Sequence, residues 1–163
     1  MPTELDTTFA PRRTVAYPTL DAIVVDARRL VAAEATTTGN WSLAKILEHV
    51  AQGMEFGVDG FPPQMRARLV VRLLCRYVFK ARIMREGMKP GFQLRGAAKQ
   101  ALVDNAGRLD AHKALDRLVR AVERLKAAER SADHFAFGPL SKDEAVLLHR
   151  RHAELHMSFV ADK

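Results

Sequence analysis

The chain has almost no cysteine, few aromatic residues and no long apolar run. Its single cysteine, Cys75, excludes an internal disulfide, and its aliphatic neighbours predict a small buried hydrophobe there, not a nucleophile. No stretch approaches the roughly 20 apolar residues that a membrane-spanning helix needs. Residues 1–6 have neither the basic nor the apolar region of a secretory signal. We therefore expect a cytoplasmic protein without a membrane span.

Strand-like alternation is also missing, whereas helical spacing of apolar residues recurs along the chain. This spacing predicts helices that begin near Pro18 and Ser42, and helical stretches over about 64–85 and 99–130, the last with a break near Gly107. Gly87 to Gly96 is a predicted loop.

A final helix is predicted from Ser141 to about Phe159, since Ser141 with Glu144 three residues later has the form of a capping box. We predict an all-α fold, a four-helix bundle with an extra helical segment and a long connection between helices. Residues 1–17 would form an extended N-terminal arm, and residues 18–163 a single four-helix-bundle domain.

The net charge of +7 is concentrated in one segment. Residues 66–89 contain one acid, Glu86, and eight basic residues: Arg66, Arg68, Arg72, Arg76, Lys80, Arg82, Arg85 and Lys89. The segment alone therefore sums to +7, and the rest of the chain is neutral. Because the basic character is local, any anionic partner is expected at this segment.

Histidines are unevenly distributed as well. Three of the six, His149, His152 and His156, lie within eight residues near the C-terminus. His152 and His156 are four residues apart, so a helix would stack their imidazoles on one face. Neutral imidazole is a common ligand for zinc, nickel, copper and iron, but two such ligands need a third. His49 is the candidate, because metal sites in bundles use side chains from facing helices.

A helical wheel at about 100° per residue places the three C-terminal histidines on the apolar side of the last helix. The charged residues group on the other side: Asp143, Arg150, Arg151 and Glu154. We therefore expect the imidazoles to face the bundle interior and Glu154 to point outward. Buried polar groups without partners cost about 1–3 kcal/mol, and a metal would provide the partner.

A plainer interpretation is that the histidine pair is incidental, as such pairs on helices often are. The zinc-protease motif is absent, because Ala153 stands where that motif needs glutamate after the first histidine. His112 is expected at the surface and His134 is expected to pack in a loop. His149, one turn before His152, is a candidate for proton handling beside the ligands.

Several stretches resemble the DinB/YfiT-like superfamily of metal-dependent four-helix bundles, within it an uncharacterised branch. They are Arg12-Arg13-Thr14, Gly39-Asn40-Trp41-Ser42-Leu43-Ala44-Lys45-Ile46-Leu47-Glu48-His49-Val50-Ala51-Gln52, His134-Phe135-Ala136-Phe137-Gly138-Pro139-Leu140-Ser141, and the closing segment 149–159. The resemblance covers most of the chain and is least distinctive over 64–110. One departure is Leu155, where relatives of this branch often carry another histidine.

The resemblance implies that His49, His152 and His156 are the ligands of a divalent transition metal, with zinc or nickel expected. It also implies a likeness to thiol-dependent transferases and isomerases that act with low-molecular-weight thiols. Because an open metal can activate either a thiol or water, we expect a thiol-dependent transferase or a metal-dependent hydrolase that acts on a small electrophilic molecule. Three imidazoles leave coordination positions open, as catalytic zinc sites do. Whether the protein is an enzyme stays open at this point, and so does its oligomeric state, a homodimer included.

A rival hypothesis starts from the basic helix over 64–85. Arg68, Arg72, Arg76 and Lys80 repeat every four residues and form a cationic stripe, which suggests a non-enzymatic module that binds nucleic acid or an anionic surface. A solvated outer face is the commoner explanation of such a stripe. Nucleic acid is the less favoured partner, because aromatic residues for base stacking are few and no nucleic-acid-binding motif accompanies the stripe.

Overall fold

Helices dominate the residues that the computed structural model describes, which are 7–91 and 110–161. The α-helices in chain order are α1 (Leu20–Ala32), α2 (Leu43–Asp59), α3 (Leu69–Leu74), α4 (Lys80–Glu86), α5 (Ala111–Ala127) and α6 (Lys142–Met157). A π-helical turn, Cys75–Phe79, joins α3 to α4, so residues 69–86 are continuously helical. No strand occurs among the described residues, and the prediction of an all-α fold is confirmed.

The four longest of the described helices, α1, α2, α5 and α6, form the bundle. Helix α2 packs most extensively on α5, and both α1 and α2 also contact α6. The interior is aliphatic, with the largest fully buried side chains at Ile23, Leu30, Ile46, Leu47, Met54, Leu118, Leu125 and Met157. The long connection between α2 and α5 carries α3, the π-helical turn and α4, which are the predicted extra helical segment.

Each bundle helix begins at a side chain that caps its N-terminus. The oxygens of Thr19, Ser42, Asp110 and Ser141 each accept a hydrogen bond from the backbone N–H three residues later. Glu144 returns the bond to the backbone of Ser141, so the predicted capping box is confirmed. The predicted break near Gly107, the helical residues 99–109 and the loop residues 92–96 lie outside the described residues.

The described part of the N-terminal arm, residues 7–17, lies across α1 and α6. Arg13 and the hydroxyl of Tyr17 both bond to Asp26 on α1, and Arg13 also donates to the carbonyl of Met157. Burial opposes ionisation of Asp26, but the hydrogen bonds from Arg13, Tyr17 and Arg29 outweigh it and lower the pKa of the carboxyl. The arm is therefore attached to the bundle by buried polar contacts.

The position that the helical wheel predicted for Glu154 is wrong. It was expected to point outward, but it is only 9% exposed, because the arm covers this side of α6. Its carboxylate accepts a hydrogen bond of 2.8 Å from the backbone N–H of Tyr17 and another of 2.8 Å from Arg151. A wheel describes one helix alone, and it could not show that a second segment would cover the charged side.

Part of the cationic stripe faces the bundle, although a solvated outer face was the commoner explanation. Arg76 donates to the carbonyls of Phe137 and Pro139 at 3.0 Å each, and Lys80 pairs with Glu144 at 2.6 Å. Arg76 and Lys80 of the stripe thus face the loop and helix at the start of α6, whereas Arg68 is exposed, and the apolar side of α3 faces solvent. The expectation of a solvated cationic face is wrong for Arg76 and Lys80, because backbone carbonyls and an acid on the bundle bind them.

Within the described part of the chain, no helix combines the length and the apolar character needed to cross a membrane.

Replacing Glu154 with Ala should lower the free energy of unfolding by about 1–3 kcal/mol, because it leaves the Tyr17 N–H and the Arg151 guanidinium without their buried acceptor. Urea unfolding followed by circular dichroism measures the change. Glu129→Ala is the control, since Glu129 is exposed and a surface change of this kind should stay within about 0.5 kcal/mol. Equal losses in the two variants would contradict the buried role of Glu154.

Candidate metal centre

Three histidines from two helices meet in the bundle: His49 of α2, and His152 and His156 of α6. Their candidate ligand nitrogens all lie within 4.8 Å of one another. The Nε2 atoms of His49 and His152 are 3.0 Å apart. Two nitrogens bound to one zinc at about 2.1 Å are separated by about 3.0–3.4 Å, so this pair already has the spacing of two ligands on one ion. The group could hold a metal ion.

Two glycines on α2 make room for the histidines of α6. A Cβ on Gly53 would lie 3.3 Å from Cε1 and Nδ1 of His152, and one on Gly57 would clash with Nε2 of His149. These glycines are four residues apart, so they form one smooth strip on α2 against which the imidazoles lie. Larger residues there would push α6 and its histidines away from His49. The i, i+4 glycine spacing inside a helical pattern was the available sequence signal.

Trp41, just before α2, packs against two histidines of the cluster. Its ring stacks on His156 with centroids 5.2 Å apart and an interplanar angle of 4°, and it meets His49 edge-on at 4.9 Å. Lys45 places its ammonium 5.1 Å from the Trp41 ring centroid. Sequence reasoning did not assign Trp41 a place at the site. These contacts restrict the rotation of two of the three candidate ligands.

Two of the three histidines, His152 and His156, are held in their neutral form. Burial, with smaller contributions from His156 and His49, lowers the pKa of His152 well below its usual value. Burial and His49 do the same to the pKa of His156. Both residues are half-buried, and burial of their rings is the largest cause of the two shifts. Neutral imidazole is the form that binds metal, so the residues present fit a transition-metal ion.

A family model matches residues 9–163, a range that includes every histidine of the chain. The chain belongs to the family DUF1569, described as a protein of unknown function. Neither the search of curated proteins nor the search of solved structures found a match. The site of this DUF1569 chain must therefore be interpreted from its own geometry.

Two further histidines lie close to the cluster. His149 is buried, with Nε2 against Gly57, and burial lowers its pKa to about 4. His134 accepts two backbone hydrogen bonds of 3.2 Å at Nδ1, so its proton is on Nε2, and its ring stacks on Phe137. Burial, and then the neighbouring His149, lowers the pKa of His134 to about 3. The expected loop packing of His134 is confirmed.

The remaining histidine, His112, is exposed near the start of α5, as predicted. The acids nearest to the ligands in sequence face elsewhere. Glu48 pairs with Arg117 of α5, and Glu154 faces the arm. The candidate centre is thus made of imidazoles, and the structure brings no described carboxylate into the group.

Metal-free protein should lose stability between pH 6.5 and about 4. Above about pH 6.5 histidine is neutral in both the folded and the unfolded state. Below it the unfolded chain binds protons, whereas folded His149 does so only near its pKa of about 4. Each such histidine lowers the free energy of unfolding by about 1.4 kcal/mol per pH unit in this window.

The measurement is urea unfolding at several pH values with chelator present. His149→Gln should flatten the dependence by about 1.4 kcal/mol per pH unit, while His112→Gln, at an exposed position, should not change it. The same slope in all three proteins would refute the burial argument for His149.

Proposed function

We propose that this protein is a DinB-like metal-dependent enzyme in which His49, His152 and His156 hold one zinc or nickel ion. The observation that carries the proposal is the convergence of three imidazoles from two helices, with the Nε2 atoms of His49 and His152 3.0 Å apart. The resemblance to the DinB/YfiT-like superfamily supports the same three residues as ligands. An all-α bundle in which α2 faces α6 agrees with it.

The chemistry of the three imidazole ligands limits the choice of metal ion. Three imidazoles without a carboxylate suit zinc, nickel or copper better than magnesium or calcium, which prefer oxygen ligands. Three protein ligands also leave open positions, as in catalytic sites and unlike the four-ligand structural ones. When bound there, a divalent metal lowers the pKa of a thiol or water enough to supply a nucleophile near neutral pH.

The nucleophile is better supplied as a small thiol than as water. Glu48 and Glu154, the acids next to the ligands in sequence, are engaged with Arg117 and with the arm, so neither serves as a base for water. The protein's own thiol, Cys75, lies in the π-helical turn between α3 and α4, and burial raises its pKa. A low-molecular-weight thiol therefore has to come from solution.

In the proposed reaction the thiol sulfur forms a bond to an electrophilic carbon of a small substrate, and the leaving group departs with its electron pair. The thiol proton leaves to solvent or to the neutral imidazole of His149, which lies one turn from His152. Trp41 and the glycine strip of α2 hold the imidazoles in place during the reaction. Metal-dependent hydrolysis is the second reaction class, and in it the same imidazole of His149 would have to accept the proton of the attacking water.

The first test is the metal itself. Untagged protein dialysed against zinc should retain about one equivalent, and saturating zinc, at about 100 times the dissociation constant, should add about 2.7 kcal/mol to the free energy of unfolding. His152→Ala/His156→Ala should lose both effects, whereas His112→Ala should keep them because His112 is exposed. Elemental analysis and thermal melting measure them. No zinc in the wild type, or equal zinc in all three proteins, would end the proposal.

The second test asks whether the open position accepts a thiol. Cobalt replaces zinc readily in imidazole sites and gives a visible spectrum that reports on its ligands. A small thiol added to the cobalt-loaded protein should produce a sulfur-to-cobalt charge-transfer band, and Cys75→Ala should show the same band because the sulfur comes from solution. Loaded cobalt without any such band would exclude the thiol-dependent class and leave the metal site standing.

A further inference from the structure

The extra helical segment exposes an unusual amount of apolar surface. Seven apolar side chains of α3 and the π-helical turn are between 46% and 77% exposed: Leu69, Val70, Val71, Leu73, Leu74, Tyr77 and Val78. We call them the apolar face. Contiguous exposed apolar surface is uncommon on proteins without a partner and marks an interaction site.

The orientation of this segment is determined by polar contacts on its opposite side. Arg76 bonds to the carbonyls of Phe137 and Pro139, and Lys80 pairs with Glu144 of α6. Turning the helix to bury the apolar face would break these contacts and leave Arg76 and Lys80 without their partners. The apolar face is therefore presented outward by the fold.

Exposed cations stand at both ends of the apolar face. Arg66 and Arg68 precede it, and Arg82, Arg85 and Lys89 follow it. The one acid of the segment, Glu86, pairs with Arg82 and Arg85 and does not cancel their excess. The segment carries the whole net charge of +7. The electrostatic potential around it therefore attracts negatively charged partners.

The apolar face with cations at both ends favours one kind of partner over the others. A second copy would bring the same cations together, which repel. Nucleic acid would be bound by a continuous cationic row, but Arg76 and Lys80 of that row face the bundle. A helical segment of 18 residues with apolar side chains outward and cations at both ends suits the boundary of an anionic bilayer.

We propose that the apolar face docks on an anionic membrane surface, where its side chains enter the head-group boundary and the flanking cations contact lipid phosphates. The docking is peripheral and reversible, because one short apolar face with a few cations binds a bilayer only moderately. The proposal does not depend on the metal centre, since the residues are different.

Vesicle flotation with the full-length chain tests it. The protein should float with phosphatidylcholine vesicles that contain about one third phosphatidylglycerol, and much less with phosphatidylcholine alone. Raising the salt to about 1 M, where the Debye length is about 3 Å, should release most of it. Absence of binding to anionic vesicles at low salt would overturn the proposal.

Variants separate the two contributions. Leu74→Glu/Tyr77→Glu should weaken vesicle binding at least about tenfold by removing apolar insertion. Arg66→Gln/Arg68→Gln should weaken it about five-fold for each cation removed. Val25→Glu on α1, at a side chain that is 68% exposed, is the matched control and should bind like wild type. Equal binding by wild type and Leu74→Glu/Tyr77→Glu would overturn the role of the apolar face.

Stability and size measurements exclude the other occupants. Leu74→Glu/Tyr77→Glu should keep the melting temperature of wild type, because both side chains are exposed. A fall of several degrees would show that the chain covers this face itself, and would overturn the proposal. Light scattering should give a monomer mass that the variant does not change. A wild-type dimer that the variant dissociates would assign the face to a second copy.

Discussion

The close contact of α2 with α6 is the constraint on which the rest of the centre depends. Gly53 and Gly57 remove side chains from one strip of α2, so imidazoles of α6 lie directly against its backbone. At this approach His49 meets His152 and His156. The cost is that several imidazoles are buried together, which keeps them neutral and makes the folded state sensitive to acid. A cluster that is costly to bury without a ligand is well suited to holding a metal ion.

Polar contacts determine the positions of the segments around the bundle. The arm is held on α1 and α6 by Asp26 and Glu154, and the extra helical segment is held on α6 and its preceding loop by Arg76 and Lys80. In both places a buried or half-buried charge has a named partner, as burial of charge requires. The extra helical segment consequently exposes its apolar residues, which reverses the usual arrangement of an amphipathic helix.

Periodicity and capping predicted the bundle well because they depend on local physics. Ser141 and Glu144 define the start of α6 through hydrogen bonds within a single turn. The same locality explains the failures. The wheel placed Glu154 on a solvated side because charged neighbours surround it in one helix, yet the arm, more than a hundred residues earlier, covers that side. The expectation that Arg76 and Lys80 face solvent was wrong for the same reason, since their partners lie on a loop and a helix that are distant in sequence.

The sequence by itself determined the helices and their caps, and it placed His152 and His156 on one face, since spacing of four residues is a property of a single helix. His49 was a candidate from a facing helix, and the three residues were joined as ligands only through the resemblance. Only the tertiary structure decided that the three rings meet and that Trp41 and the two glycines shape their surroundings. It also decided which side of each charged helix faces solvent. Those outcomes depend on packing between segments far apart in sequence, and no local pattern encodes the distance between them.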